Sequence, residues 1–593
     1  VIARNIRDRI SGPTKGADTL RHNRENPMTL KSLLLGAVAA TAMAPAAMAE
    51  RGSDGNVSII YWQAPSILNP FLSGGTKDVE SASMIIEPLA RYNQDGALIP
   101  WLVSEVPTVA NGGVSEDLQS ITWNITPGIL WSDGTPFTSA DVKFTYDYCT
   151  HPEGGCAQLT KFEGVSSVDT PDDLTVVVNF ESAQPNPYGP FVGGESPILQ
   201  AAQFAACSGA AAPTCTEQNF GPIGTGPFVV TDFRPNDVIQ MVANDNYRDA
   251  AKPAFASVTF KGGGDATAAG RAVMETGEFD YAWNLQLAPD VIQRMQAGGK
   301  GTPVAGFGPL VERIMLNATN PDPALGPDER SVVGPHPFLG DPAVYKAMSL
   351  AIDRPLLVEI GYGQAGKVTC NWIPAPAAFN SDTLSCDTQD IAGANAMLDA
   401  AGYMDTDGDG VRETPDGMPL SILYQTSTNA VRQDFQALIK QWWSEIGIET
   451  ELRNLNASIF FGGDPASPDT FQKFYADVEM YANTFSGTDP QSYLANGLCG
   501  KEPSPASQWQ GENISRFCMP EYDALHTKLR GTADLDERAR LGRQLNDMMV
   551  ENGGMIPLVH RGRLSAHANS LGGVVLNVWD SELWNVSDWH RID

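Results

Sequence analysis

Long apolar runs are missing from this 593-residue chain: beyond residue 49, no stretch approaches the roughly 18 consecutive apolar residues that a membrane-spanning helix needs. Basic residues are scarce as well, with 39 Lys and Arg against 70 Asp and Glu, for a formal charge of −31. So acidic a surface repels phosphate backbones and anionic bilayers, which excludes nucleic acid and acidic membranes as expected partners. Histidine is rarer still. The positions are His22, His151, His336, His526, His560, His567 and His590, and none forms the H-E-x-x-H pattern of zinc hydrolases. No G-x-S-x-G nucleophile turn exists either, since the nearest match, Gly194 to Ile198, ends on the wrong residue. With so many carboxylates a glycosidase-like pair stays open, although no motif points to one.

What is present begins with a leader. Lys31, the apolar stretch Leu33 to Ala40 and the small-residue site Ala47, Met48, Ala49 read as a secretory signal peptide, with Met28 as the expected start and residues 1–49 outside the fold. The residue directly after the cleavage site is Glu50 and not a cysteine, so a soluble periplasmic protein is expected rather than a lipid-anchored one. Residues 1–49 hold seven basic and three acidic side chains, so without them the formal charge moves from −31 to −35. All eight cysteines lie beyond the leader and fall into local couples: Cys149 with Cys156, Cys207 with Cys215, Cys370 with Cys386, Cys499 with Cys518. In an oxidising compartment that pattern predicts four short-range disulfides. A thiolate zinc site is the competing reading, disfavoured because no C-x2-C pair occurs.

The length exceeds what one core usually serves, so two or three domains are expected. Residues 420–452 carry the clearest α/β signal. Leu420 to Tyr424 reads as a strand; Val431, Phe435, Leu438, Ile439, Trp442 and Ile446 recur at helical spacing until Gly447; a second strand starts at Ile448. Such a crossover joins parallel strands. Asp341 with Pro342 and Asp353 with Pro355 read as two helix starts, and 534–550 as an amphipathic helix.

Residues 117–148 read as strand, Pro127-Gly128 turn, strand, Asp133-Gly134 turn, then a helix opened by a capping box of Thr138 and Asp141. This segment closely resembles the signature of the extracytoplasmic solute-binding proteins of family 5, which serve peptide, opine and nickel ABC importers. Further resemblances lie at Ile67 to Pro70, Gly224 to Phe228, Asn244 to Tyr247, Val344 to Arg354 and Ile556 to Val559, in the family's order along the whole chain beyond the leader. The resemblance implies an α/β, two-lobed periplasmic binding protein fold, with discontinuous domains joined by a hinge and an extra inserted domain. One lobe would combine residues 50–95, 223–312 and 560–593, the inserted domain 96–222, and the second lobe 313–559. It also implies a monomer that captures an organic solute (peptide-like, opine-like or oligosaccharide) and delivers it to the ABC permease, with no required cofactor and no turnover. Two rivals stay open: a secreted acidic hydrolase on a two-lobed scaffold, and a sensory binding protein that docks on a chemoreceptor.

Candidate contacts follow from aromatic faces flanked by amides, the usual lining of an organic-ligand cleft. Trp62, Trp283, Trp372 and Trp584 lie beside polar, turn-forming residues, and core packing is the alternative for each. The expected ligand contacts are Trp62, Gln63, Trp283, Asn284, Trp372, Asn483, Phe485, Ser486 and Asp489. In peptide-binding relatives an Asp four residues before the Pro of an acidic-Pro pair holds the peptide's α-ammonium. Here that position is Ser486, so the resemblance implies a solute without an obligatory free α-amine, unless Asp489 substitutes from nearby. A second motif, Asp405, Asp407, Asp409, Gly410, the backbone of Val411 and Asp416, follows the spacing of a calcium loop. The short Asp416 beside Pro415 leaves weak structural calcium and a plain turn both open. Gly361 to Lys367 matches a phosphate-binding loop up to its lysine, but Val368 stands where a hydroxyl is needed and the stretch follows a helix, so nucleotide binding is not expected.

Overall fold

The computed structural model describes residues 50–592. The signal peptide, its cleavage site and Met28 lie outside the described residues.

Two mixed sheets dominate. The first has seven strands in the order Gly301–Gly306, Arg563–Ala568, Tyr281–Trp283, Asn56–Tyr61, Ser257–Gly262, Val238–Ala243, Phe228–Arg234. Asn56–Tyr61 runs parallel to both its neighbours, so three strands deliver their carboxyl ends to one edge of this lobe. The second sheet has six strands in the order Gly366–Val368, Met555–Arg561, Val311–Leu316, Val478–Asn483, Ser421–Ser427, Glu449–Leu455. The chain passes from sheet to sheet twice: between Gly306 and Val311, and through Gly562 alone. Among the described residues these two short adjacent crossings are the covalent hinge between the sheets.

The β-α-β unit is present as expected. Ser421–Ser427 pairs in parallel with Glu449–Leu455 in a register that sets Ser421 against Glu449. Between them lies the helix Ala430–Ser444, whose N-cap Asn429 accepts a hydrogen bond from the Arg432 amide. Its stripe of Val431, Phe435, Ile439, Trp442 and Trp443 is buried, and Gly447 turns the chain at φ +76°. Asp341, Asp353 and Asp534 likewise cap the helices Pro342–Leu350, Arg354–Gly361 and Leu535–Glu551 by accepting main-chain N–H bonds. Each start is local chemistry: a carboxylate satisfies an amide that the first turn leaves unpaired.

A third, antiparallel sheet of Ser120–Asn124, Thr175–Phe180 and Val165–Asp172 packs beside the helix Ser139–Cys149. Ile121, Trp123 and Ile125 face inward and the alternate residues outward. Thr138 and Asp141 form the expected capping box. The second strand expected after Gly128 is absent. Only Leu130 and Pro136 form an isolated bridge, because the turn at Asp133 folds the chain back at once and Pro136 has no N–H with which to extend a ladder. That loop instead aims the Trp131 indole N–H at Asp141 Oδ2, 3.2 Å away, bracing the capping carboxylate.

All four disulfides join the local couples, and no free cysteine remains among the described residues. By the chain-entropy estimate, closing loops this short contributes about 2–3 kcal/mol each. A non-reducing peptide map should recover Cys149–Cys156, Cys207–Cys215, Cys370–Cys386 and Cys499–Cys518 as the only cross-links; a bridge such as Cys156–Cys207 would contradict the assignment.

Candidate functional site

Where the two large sheets face each other they enclose two adjoining chambers of about 50 Å³ each. Gly74, Thr76, Glu80, Asn483, Thr484 and Arg563 line both. The position follows a general rule of open α/β sheets, whose ligands bind beyond the carboxyl ends of strands. Gln63 lies just past Asn56–Tyr61, Trp283 and Asn284 end the next strand, and Asn483 and Thr484 end Val478–Asn483.

In the first chamber Trp283 stacks on Tyr61, with ring centroids 4.5 Å apart and planes 7° from parallel, which fixes the indole that lines the wall. Asn284 sits in the left-handed region at φ +56°, where Asn is among the better tolerated residues. Its carbonyl accepts the Trp62 indole N–H at 2.8 Å, and its side-chain oxygen accepts from Arg561. Trp62 is therefore a brace behind the wall and not part of the lining. Gln63, Phe461, Phe471 and Tyr481 complete the apolar and amide surface.

Three arginines enter this chamber, each tied to a buried carboxylate. Arg432 donates to Glu312 Oε1 at 2.7 Å and Oε2 at 3.2 Å, while Arg561 stands 3.7 Å from the same group. Burial works to raise the Glu312 carboxyl, but the two guanidiniums outweigh it and hold Glu312 below the usual range. Arg563 lies 3.1 Å from Glu80 and 3.9 Å from Glu582. Burial, with Glu582 adding its repulsion against the pull of Arg563, pushes the Glu80 carboxyl up to about 7. Ser581 Oγ at 2.6 Å and the Glu582 amide at 2.7 Å both donate to Glu80.

The second chamber is lined by Phe485, Ser486, Ser492, Tyr493, Asn496 and Glu512 from one side, and by Lys161, Gly194 and Glu195 of the segment that carries the three-stranded sheet. Lys161 pairs with Glu195 at 2.5 Å. Glycines let the two walls meet. A Cβ on Gly75 would lie 2.6 Å from the Phe461 carbonyl oxygen, and one on Gly463 would run into the Leu72 carbonyl oxygen. Across the same seam Glu163 takes Lys501 at 2.9 Å and Arg530 at 3.1 Å. Burial opposes ionisation of Glu163, yet the Lys501 ammonium and the Arg530 guanidinium hold its carboxyl below the ordinary range. The structure is that of a closed cleft.

Of the residues expected from sequence, Gln63, Trp283, Asn284, Asn483, Phe485 and Ser486 line the chambers. Trp372 does not: it packs on Tyr493 at 5.1 Å, one layer behind the wall, as Trp584 packs near Trp101 with its indole N–H on the Val575 carbonyl. Asp489 is also outside the lining, because its carboxylate is committed to Arg538 at 2.7 and 3.1 Å and to the Gln491 amide. It is not free to replace a carboxylate at Ser486. Sequence reasoning missed Glu80, Arg432, Arg561, Arg563, Thr484, Tyr493, Asn496 and Glu512. The available signal was charge inside apolar strands, as in Val311–Leu316 with Glu312, and Arg561 and Arg563 beside Ile556 to Val559.

The acidic loop lies apart from both chambers. Asp405, Asp407 and Asp409 converge with Glu413, not with Asp416, so Glu413 replaces the expected last carboxylate. Asp416 sits beyond Pro415 and is exposed. The oxygens already accept main-chain N–H bonds: Asp405 from Gly408 and Gly410, Asp407 from Asp409, Asp409 from Val411, Glu413 from Thr406. Four carboxylates suit a hard cation, but the turn is held without one.

Residues 97–504 match the family model of bacterial extracellular solute-binding proteins, family 5, middle region. The glutathione-binding protein GsiB of Salmonella paratyphi A is 22% identical over 467 residues, covering 78% of this chain and 81% of that protein. Among solved structures, the oligopeptide-binding protein AppA of Bacillus subtilis with a nonapeptide superposes at TM-score 0.78 and 19% identity, over 92% of this chain and 100% of that one. The binding protein AgaA of A. tumefaciens R10 with agropinic acid gives 0.73 and 19%, over 91% and 99%. These likenesses show the two-lobed binding-protein fold.

The glycine seam yields a direct test. Gly463→Ala should leave the melting temperature near that of the parent protein while shifting the small-angle X-ray scattering profile toward a more extended form. A variant as compact as the parent would show that the seam does not limit closure.

Proposed function

The chain belongs to the bacterial extracellular solute-binding proteins, family 5, and from that premise we propose that it is the periplasmic substrate-binding component of an ABC importer, a monomer that closes two lobes over a compact organic solute and hands it to the permease. As a member of this family it is a binding protein, not an enzyme, and no cofactor is required. The observation that carries the reading is the cleft with one wall from each sheet and a hinge of two short crossings. Only the closed form offers both walls at once, so a solute bound there shifts the equilibrium toward closure.

We assign residues 50–95, 223–312 and 560–593 to one lobe, 96–222 to an inserted domain and 313–559 to the other lobe, with 1–49 as a leader that directs export. Peptide-like, opine-like and sugar solutes all fit a wall of Trp283, Tyr481, Phe461, Gln63, Asn284 and Asn483. A calcium ion at Asp405, Asp407, Asp409 and Glu413 would pin a loop remote from the solute and take no part in binding it.

Two measurements follow. Mass spectrometry of gently purified protein should release a small organic solute in near-equimolar amount. Adding that compound back to stripped protein should contract the molecule in small-angle scattering; an unchanged profile would contradict the hinge mechanism. Separately, Asp407→Ala should lower any calcium-dependent gain in melting temperature and leave solute affinity unchanged, whereas a large loss of affinity with the fold intact would put the loop in the site.

A further inference from the structure

Three buried oxygens of the second chamber have no hydrogen-bond partner: Thr484 Oγ1, Asn496 Oδ1 and Glu512 Oε1. Glu512 as a residue is half-buried, yet its Oε1 is shut off from solvent. Two of the three can only accept, and the Thr484 hydroxyl can accept as well. What the group lacks in common is a donor.

The charges point the same way. Every other ionic group on this wall has a counter-ion: Lys161 with Glu195 at 2.5 Å, Arg91 with Asp580 at 3.2 Å, Arg563 with Glu80 at 3.1 Å. Glu512 has no cation within ion-pair distance among the described residues. Lys161 and Arg313 act on it only through space, and Glu195 opposes it. Burial, reinforced by Glu195, pushes its carboxyl up to about 8, because no protein group neutralises the charged form. A lone carboxylate in such surroundings is costly unless a matched charge arrives.

We propose that the second chamber is a pocket for a positively charged group of the solute, an ammonium or guanidinium, which Glu512 neutralises while Thr484 and Asn496 accept its remaining hydrogen bonds. The inference rests on the solute-binding reading and deepens it. A water molecule brings two donors and no charge, whereas an ammonium brings three donors and the missing charge. A protonated Glu512 that donates to a solute carbonyl would still leave Asn496 Oδ1 unmatched. The pocket also reports closure. Glu512 belongs to the loop tied by Cys499–Cys518, and it faces Gly74 of the opposite wall, where a Cβ would stand 2.7 Å from Oε1. The expectation drawn from Ser486, a solute with no amine, is thereby revised: a carboxylate reaches the same chamber from another loop.

Three matched pairs of compounds test this by calorimetric titration: alanyl-alanine and its N-acetyl form, glucosamine and N-acetylglucosamine, 4-guanidinobutyrate and 4-ureidobutyrate. In at least one pair the member that carries the ammonium or guanidinium should bind tenfold or more tightly than the partner that lacks it. Glu512→Gln, which keeps the shape and removes the charge, should abolish that preference without lowering the melting temperature. Thr484→Val, on the same wall, should weaken the cation a few-fold. Members without the ammonium or guanidinium that bind equally well, or a preference that survives in Glu512→Gln, would sink the cation pocket and leave the solute-binding reading standing. Failure of all six compounds to bind or to close the cleft would count against both.

Discussion

A carboxylate with no access to water has to be neutralised where it stands, and Glu312 imposes that demand at the hinge. It lies on the strand that the chain enters on leaving the first sheet, fully buried. Arg432 comes from the helix of the β-α-β unit and Arg561 from the returning strand, while the Tyr362 hydroxyl donates at 3.0 Å. Gln286, from the first lobe, donates at 3.4 Å. Removing one partner from such a buried pair typically costs about 3–5 kcal/mol, because the other charge is left stranded. The group thus locks two strands of the second sheet and the helix of the β-α-β unit together beside the two crossings, and through Arg561 it fixes Asn284 on the first chamber's wall.

The same electrostatic logic extends along the cleft floor. Glu80, Arg563, Glu582, Tyr281 and Ser565 form one network, in which Glu582 accepts from the Tyr281 hydroxyl at 2.7 Å and from Ser565 at 2.6 Å. Networks of this kind are rigid when fully satisfied. The unsatisfied groups are therefore informative, and in the second chamber they gather on one wall. Against this stiff lining the lobes are held together by polar contacts such as the Gly487 N–H on the Trp579 carbonyl, the Gln491 amide on Gln184 and a partly exposed ion-pair cluster at Glu163. Exposed pairs contribute only about 0–1 kcal/mol each, which suits a cleft that must open again to release its solute.

Much of the fold was written in short stretches of chain. Apolar spacing between 420 and 452 specified strand, helix and strand, because a 3.6-residue or two-residue period depends only on near neighbours. Aspartates before the helix starts named their own caps. Cysteines a few residues apart had few other partners within reach, so their pairing followed from proximity. The strand expected after Gly128 failed for a reason equally local, the missing N–H of Pro136, which the sequence displayed but apolar content outweighed.

The site was legible only in part, and the division follows sequence distance. Gln63, Trp283, Asn284, Asn483, Phe485 and Ser486 could be named because they end strands or follow them, where side chains turn toward a cleft. Whether an indole faces the cleft or stands one layer behind it, as Trp283 and Trp372 differ, depends on which element packs over it. Glu512 reaches the chamber of Ser486 from a separate loop, and Asp489 loses its candidacy to Arg538, a residue on a distant helix. The sequence by itself determined the elements, their caps, the disulfides and the family. Only the tertiary structure decided which charges meet, because a charge acts through space and its partner is set by the packing of segments far apart in the chain.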